Sequence, residues 1–249
     1  MYKIAKIKFK PLIEKDDTLD KIDDVLSCLF KNGQILDSFH LEKHNGYYLA
    51  NVITTDDNSL DSKYYNEYIL KLIKEFEIEN IIVCDDVTST DCCHCHDHSF
   101  YVLAIDYIDE SSPIICGDCG KEIPLYKIPY INNEGEHYSV LNFQRTYKSV
   151  VNLWIDGLSD RFTKRQITDH KSSLNQTGID ICKKLEDKLN KPVYYLLRNP
   201  IGCWFEYWKN NNLEVCPKCG KEFTYIDHSY IDKVCEDCRL GFITCDDED

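Results

Sequence analysis

Soft metal ligands are concentrated in three short stretches of this chain. CPKCG at 216–220 is followed by CEDCRLG at 235–241. Cys216, Cys219, Cys235 and Cys238 thus form two C-x2-C pairs, and each pair can offer two thiolates from one tight turn, as tetrahedral zinc requires. Gly220 and Gly241 flank the pairs, where a positive φ is useful. The intervening KEFTYIDHSYIDKV suits a β-hairpin between two knuckles. Four thiolates leave no open coordination position for water or substrate, so the spacing predicts structural rather than catalytic zinc.

CGDCG at 116–120 is a third knuckle and needs partners. The nearest are in DCCHCHDHSF at 91–100, where three cysteines and three histidines occupy six of the seven positions 92–98. Pairing Cys92 and Cys95 with Cys116 and Cys119 gives C-x2-C, twenty residues, and C-x2-C, an ordinary ribbon spacing. Cys93 is the alternative to Cys92 and gives a less usual C-x-C; a histidine could also replace either thiolate. The spacing favours Cys92. His94, His96 and His98 alternate, so on an extended chain they would share one face. Three histidines can hold a catalytic zinc, but no general base stands beside them, and they read as polar surroundings of a structural ion. Two zinc ions are therefore expected, and each four-thiolate site would carry a charge of about −2. Cys28, Cys84 and Cys182 lie singly on apolar faces and read as small buried hydrophobes.

Composition bounds what these ligands can serve. Of 249 residues, 43% are hydrophobic and 12% aromatic, which indicates a globular chain with a sizeable core. MYKIAKIKFK alternates apolar residues with lysines and lacks the apolar stretch of a signal peptide. No run reaches transmembrane length. The expected location is the cytoplasm, where fourteen cysteines favour metal binding over a disulfide framework. The formal net charge of −14 argues against a generic grip on nucleic acid. It is unevenly spread, however. From Arg145 to Arg198 there are eleven Lys and Arg against six Asp and Glu, a local surplus of five, so the remainder carries −19.

The elements that must position these residues follow from periodicity. Residues 2–9 read as a strand. DTLDKIDDVLSCLFKNG places Leu19, Ile22, Leu26 and Leu29 at helical spacing, with Gly33 as its stop. ILDSFH and GYYLANVIT read as strands joined at Asn45-Gly46. SLDSKYYNEYILKLIKEF puts Leu60, Tyr64, Tyr68, Leu72 and Phe76 on one helical face, and NIIVCD reads as a short buried strand. The order β-α-β-β-α-β is that of a ferredoxin-like unit over residues 1–90. Residues 91–136 form a first zinc-ribbon-like module, with SFYVLAID as a strand. Residues 137–200 form a helical segment. Its first helix carries Val140, Phe143, Tyr147, Val151, Trp154 and Leu158. Its second has a Ser N-cap, a stripe through Leu174, Ile181, Leu185 and Leu189, and a stop at Pro192. PVYYLLR reads as a strand, and residues 201–249 form the C-terminal ribbon. The fold class is α+β.

CGDCGKEIPLYKIP (116–129), DRFTKRQITDHKSSLNQTGIDICKKLEDKLNKPVYYLL (160–197) and CPKCGKEF with CEDCRLGF together resemble a bacterial family of unknown function. Its description joins a zinc ribbon to a conjectured nucleic-acid-binding role. The resemblance spans roughly 90–243, with three motifs in the same order. It implies that Cys216, Cys219, Cys235 and Cys238 form the named ribbon and that Cys116 and Cys119 belong to the shared pattern. It also implies a pattern closer to C-x-C near 92–95, which leaves the ligand choice there open.

Two functions fit. The first is nucleic-acid binding through Arg161, Lys164, Arg165, Lys183 and Lys184, with Tyr194, Tyr195, Trp204, Phe205 and Trp208 as stacking surfaces. The second is a protein-binding adaptor or immunity-type protein whose acidic body covers a basic partner. An enzyme is disfavoured: there is no P-loop, G-x-S-x-G, H-E-x-x-H or dinucleotide-binding glycine pattern. Asp85-Asp86 follow a buried strand end, where catalytic carboxylates can sit, but a strand-end turn explains them as well.

Overall fold

The computed structural model of the chain describes residues 2–86, 91–108, 112–132, 135–197, 214–227 and 229–243. Two compact units are formed: Met1–Cys92 with Ile123–Tyr138, and Cys93–Glu122 with Ser139–Asp249.

In the first unit, β1 (Lys3–Pro11), α1 (Thr18–Lys31), β2 (Ile35–His44), β3 (Tyr47–Thr54), α2 (Glu67–Leu72) and β4 (Phe76–Asp85) follow in that order. The sheet runs β2-β3-β1-β4, with antiparallel neighbours throughout. Alternation along β1 buries Ala5, Ile7 and Phe9 against Ile22, Val25, Leu26 and Leu29 of α1. The lysines between them point the other way, and Lys8 and Lys10 reach Glu79 and Glu77 of β4 at 3.1 and 2.8 Å. Gly33 ends α1 at φ +73°, and a Cβ there would lie 2.4 Å from Leu125 Cβ, so only glycine fits.

Three expectations are corrected in this unit. Residues 59–76 do not form one helix, because Asn66 accepts a hydrogen bond from the Ile69 N–H and starts α2 afresh. A 3₁₀ turn at Ser62–Tyr64 precedes α2 and another at Ile73–Glu75 follows it. Tyr68 consequently faces solvent, while Ile69 is buried. NIIVCD is not a buried strand: it is part of the edge strand β4, with Ile81, Ile82 and Val83 exposed. Cys84, in the same strand, is exposed rather than buried, and Cys28 is half-buried.

The segment 123–138, whose residues 123–136 are expected in the first ribbon module, packs in this first unit. Tyr126 donates to Asp56 at 2.7 Å and Lys127 does so at 2.6 Å. Burial opposes ionisation of Asp56, but Lys127 and Tyr126 hold its pKa below the ordinary value. The Asn66 side-chain amide donates to the Gly135 carbonyl at 2.9 Å.

The second unit contains β5 (Tyr101–Leu103), β6 (Ile114–Cys116), α3 (Tyr138–Ile155), α4 (Asp160–Thr168), α5 (Ser173–Leu189), β7 (Val193–Leu196), β8 (Thr224–Tyr225), β9 (Lys233–Cys235) and β10 (Leu240–Phe242). The six strands form one sheet, β6-β5-β7-β10-β9-β8, in which β7 pairs in parallel with β5 and β10. Residues assigned by sequence to three separate modules therefore share one sheet. The physical reason lies in β7, whose four residues are all buried and whose two edges are both paired. Val102, Ile115, Tyr194, Leu196, Ile231 and Val234 form an apolar cluster. Tyr195 contacts Phe143 of α3 and lies over Gly178 of α5. Its hydroxyl donates to Asn175 at 2.7 Å. Cys182 is fully buried, and burial pushes its thiol pKa well up. The stripe of α3 ends sooner than expected, since Leu158 lies beyond the helix and is exposed.

Candidate metal centres

CGDCGKE (116–122) and CPKCGKE (216–222) fold into the same local structure. In each, the first cysteine N–H donates to the lysine carbonyl and accepts at its own carbonyl the glycine N–H. These bonds are 2.9 and 2.9 Å around Cys116, and 2.8 and 2.8 Å around Cys216. Gly120 and Gly220 hold φ at +69° and +73°. The bridges Ile115↔Glu122 and Val215↔Glu222 close both turns. Each turn thus presents two sulfurs to one side. This internal repetition is visible in the sequence once the two stretches are aligned, and reading them only as C-x2-C pairs misses it.

The C-terminal knuckle meets Cys235, the last residue of β9, and Cys238 beyond it. The sulfurs of Cys216, Cys219, Cys235 and Cys238 all lie within 4.8 Å of one another. The Cys219 and Cys235 sulfurs are 3.5 Å apart. That is far beyond the about 2.05 Å of a disulfide bond. It is close to the roughly 3.8 Å edge of a tetrahedron with metal–sulfur bonds of about 2.3 Å. The described cysteines form no disulfides.

The other knuckle meets Cys93 and Cys95. Their sulfurs and those of Cys116 and Cys119 also lie within 4.8 Å of one another, with Cys93 and Cys119 3.4 Å apart. Cys92, favoured by spacing, lies outside this group, and its thiol donates to the Thr55 carbonyl at 2.9 Å. Register explains the difference. Cys93 N–H donates to the Glu122 carbonyl, which fixes the chain as an extended partner of the knuckle. Residues two apart then share a side, so Cys93 and Cys95 face the knuckle and Cys92 faces away.

Of the three histidines, only His98 approaches the thiols. Its Nδ1 lies 3.2 Å from Cys116 Sγ, and Asp118 Oδ2 lies 3.9 Å from the same sulfur. His94 and His96 are exposed.

The thiols differ in acidity because their surroundings differ. Burial pushes the pKa of Cys116 and of Cys235 up to about 11, and it raises Cys93 and Cys238 further. Cys219, at the surface, is drawn down to about 7, chiefly by the Lys221 N–H. Burial opposes ionisation of Cys119, but the Lys121 N–H and the surrounding thiols lower its pKa. Each cluster thus sets one thiol of lowered pKa beside two whose pKa burial raises. A soft dication would displace the remaining protons, so both donor sets fit a four-thiolate ion.

The C-terminal centre is tied to α5. Arg239, at φ +54° just past Cys238, makes a two-pronged contact with Glu186 at 2.8 and 2.9 Å. Glu186 also accepts the Val193 N–H at 3.2 Å, joining helix, central strand and the cysteine turn at 235–238.

Comparison with known proteins assigns no activity. Residues 95–198 match the family model "Domain of unknown function (DUF2310)", and residues 1–87 match "Domain of unknown function (DUF8589)". Two uncharacterized proteins of Haemophilus influenzae are similar. One is 25% identical over 223 residues, 84% of each chain. The other is 27% identical over 164 residues, 64% of this chain and 78% of the relative. No solved structure matches. The chain is thus similar to bacterial proteins of unknown function. The first family match stops at 198, short of the C-terminal cysteines that the sequence resemblance included.

The residues expected to contact nucleic acid divide. Arg161 and Arg165 line one cleft at α4, whereas Lys164, Lys183 and Lys184 do not line it. Tyr194 and Tyr195 are core residues, 6% and 1% exposed, and offer no stacking face. Trp204, Phe205 and Trp208 lie outside the described residues. No helix among the described residues is long and apolar enough to cross a membrane.

Proposed function

We propose that this protein is a non-catalytic, cytoplasmic zinc protein in which two structural Zn²⁺ ions brace one sheet, and that its basic helical segment contacts nucleic acid. The observation that carries the zinc reading is the pair of four-sulfur clusters, each built on a C-x2-C-G-K-E turn closed by a β-bridge. Thiolate donors in a tetrahedral set select zinc over hard cations. Four sulfurs also saturate a tetrahedral ion, which supports a structural role. Cys93, Cys95, Cys116 and Cys119 would hold one ion, and Cys216, Cys219, Cys235 and Cys238 the other. The first unit reads as ferredoxin-like, supported by its element order and its sheet order β2-β3-β1-β4.

Metal analysis of protein purified without added chelator should find about two zinc ions per chain. A value near one would remove one centre, and iron in place of zinc would overturn the metal assignment. Capture of partners with and without nuclease tests the other half of the reading. Partners that persist unchanged after nuclease treatment would replace nucleic acid by a protein partner.

A further inference from the structure

The corner between α4 and α5 forms an open cleft of about 790 Å³. This lies within the usual range for small-molecule sites, roughly 300–1,000 Å³. Arg161, Phe162, Arg165, Lys171 and Asp160 are among its lining residues. Three cations against one carboxylate leave it with a surplus of two positive charges, in a chain of net charge −14. Arg161 and Arg165 stand four residues apart, on one face of α4. Among the described residues, neither Arg161 nor Lys171 has an ion-pair partner. Arg165 approaches Asp169 at only 3.7 Å. Phe162 is 55% exposed in the same lining, a large apolar ring with no core to fill.

The floor of the cleft is rigid. Ser172 caps α5 by accepting the Asn175 N–H and donates its own hydroxyl proton to the Gln166 carbonyl at 2.7 Å. Gln166 Oε1 accepts from the Ser173 hydroxyl and the Leu174 N–H, each at 3.1 Å. The buried Asn175 amide donates to the Ile167 and Asp169 carbonyls at 3.0 and 2.9 Å. The Leu174 and Asn175 N–H groups in the first turn of α5 are therefore occupied, and the side-chain cations above it supply the anion affinity. Little backbone ordering would accompany binding, which favours affinity.

We propose that this cleft binds a nucleotide, its phosphate held by Arg161, Arg165 and Lys171 and its base stacked on Phe162. Arginine forks match phosphate oxygens in pairs, and an exposed ring offers a sequence-tolerant surface to any base. The ligand could be a free nucleotide or one residue of a single strand. The proposal rests on the nucleic-acid reading of the basic segment and gives it a location.

The test is fluorescence or calorimetric titration of the zinc-loaded full chain with AMP, inorganic phosphate, a short single-stranded RNA and an acidic peptide. Parallel titrations use Arg161→Ala/Arg165→Ala and Phe162→Ala. All three positions are exposed, and unchanged circular dichroism checks the fold. Losing a charged hydrogen bond should weaken AMP and RNA by about tenfold or more, and Phe162→Ala should weaken both while sparing phosphate. AMP binding without RNA binding would keep the cleft and overturn the nucleic-acid reading. RNA binding indifferent to all three substitutions would overturn the cleft and keep that reading. Acidic-peptide binding equal to AMP binding and insensitive to Phe162→Ala, or no binding by any probe, would overturn the nucleotide site.

Discussion

The choice between Cys92 and Cys93 is decided by one backbone hydrogen bond. Spacing alone prefers Cys92, because C-x2-C is the commoner knuckle. Pairing of the Cys93 N–H with the Glu122 carbonyl sets the register, and alternation turns Cys92 toward Thr55. Cys93→Ser should lower metal content to about one ion per chain, while Cys92→Ser should leave it near two. Elemental analysis of the two variants reads this directly, and the opposite pattern would mean that the register is wrong. Seven of the eight sulfurs in the two clusters were legible as ligand candidates from turn chemistry, with Cys93 held as the alternative. The eighth choice depended on a contact between residues 29 apart in sequence, which no local pattern carries. Phe162 was missed for a different reason: an aromatic on a helix is usually core, and only its exposure marks it out.

At the scale of elements, periodicity located the long strands and helices and misjudged what they pack against. The apolar residues of NIIVCD suit a central strand, yet β4 is an edge, since sheet order depends on which strand finds β1's second edge. The helix expected at 59–76 failed because a capping asparagine outcompeted a continuous stripe. Gly178 shows packing overriding propensity. Alanine is favoured over glycine in a helix interior by about 1 kcal/mol. At 178, however, a Cβ would lie 2.4 Å from Tyr195 Cε2 and 2.8 Å from Phe143 Cζ. Both rings are buried, and overpacking typically costs about 1–3 kcal/mol. Gly178→Ala should therefore destabilise the second unit by roughly 1 kcal/mol net, as measured by denaturant unfolding. A gain in stability would show that the rings yield and that helix propensity governs the position.

At the scale of the whole chain, the two units differ in what holds them together. Strands β1 to β4 have 9, 10, 8 and 10 residues, long enough for continuous ladders over a shared core. In the second unit β5, β6, β9 and β10 have three residues each, β7 four and β8 two. Average strands have about 5–6 residues, so these ladders supply few hydrogen bonds, and an ion held by the cysteine clusters at the ends of β6 and β9 would replace length with cross-links. A ligand that binds only the folded state stabilises it by mass action, and its removal withdraws that contribution. Chelation should then raise amide hydrogen exchange in 101–103, 114–116, 193–196 and 233–242 while the strands of the first unit keep their protection. Cys219→Ser should reproduce the effect in the C-terminal part of that sheet with one ion still bound. Exchange mass spectrometry separates the segments. Equal loss of protection in both units would mean that the first cannot stand on its own core, and no loss anywhere would mean that the short sheet does not depend on metal.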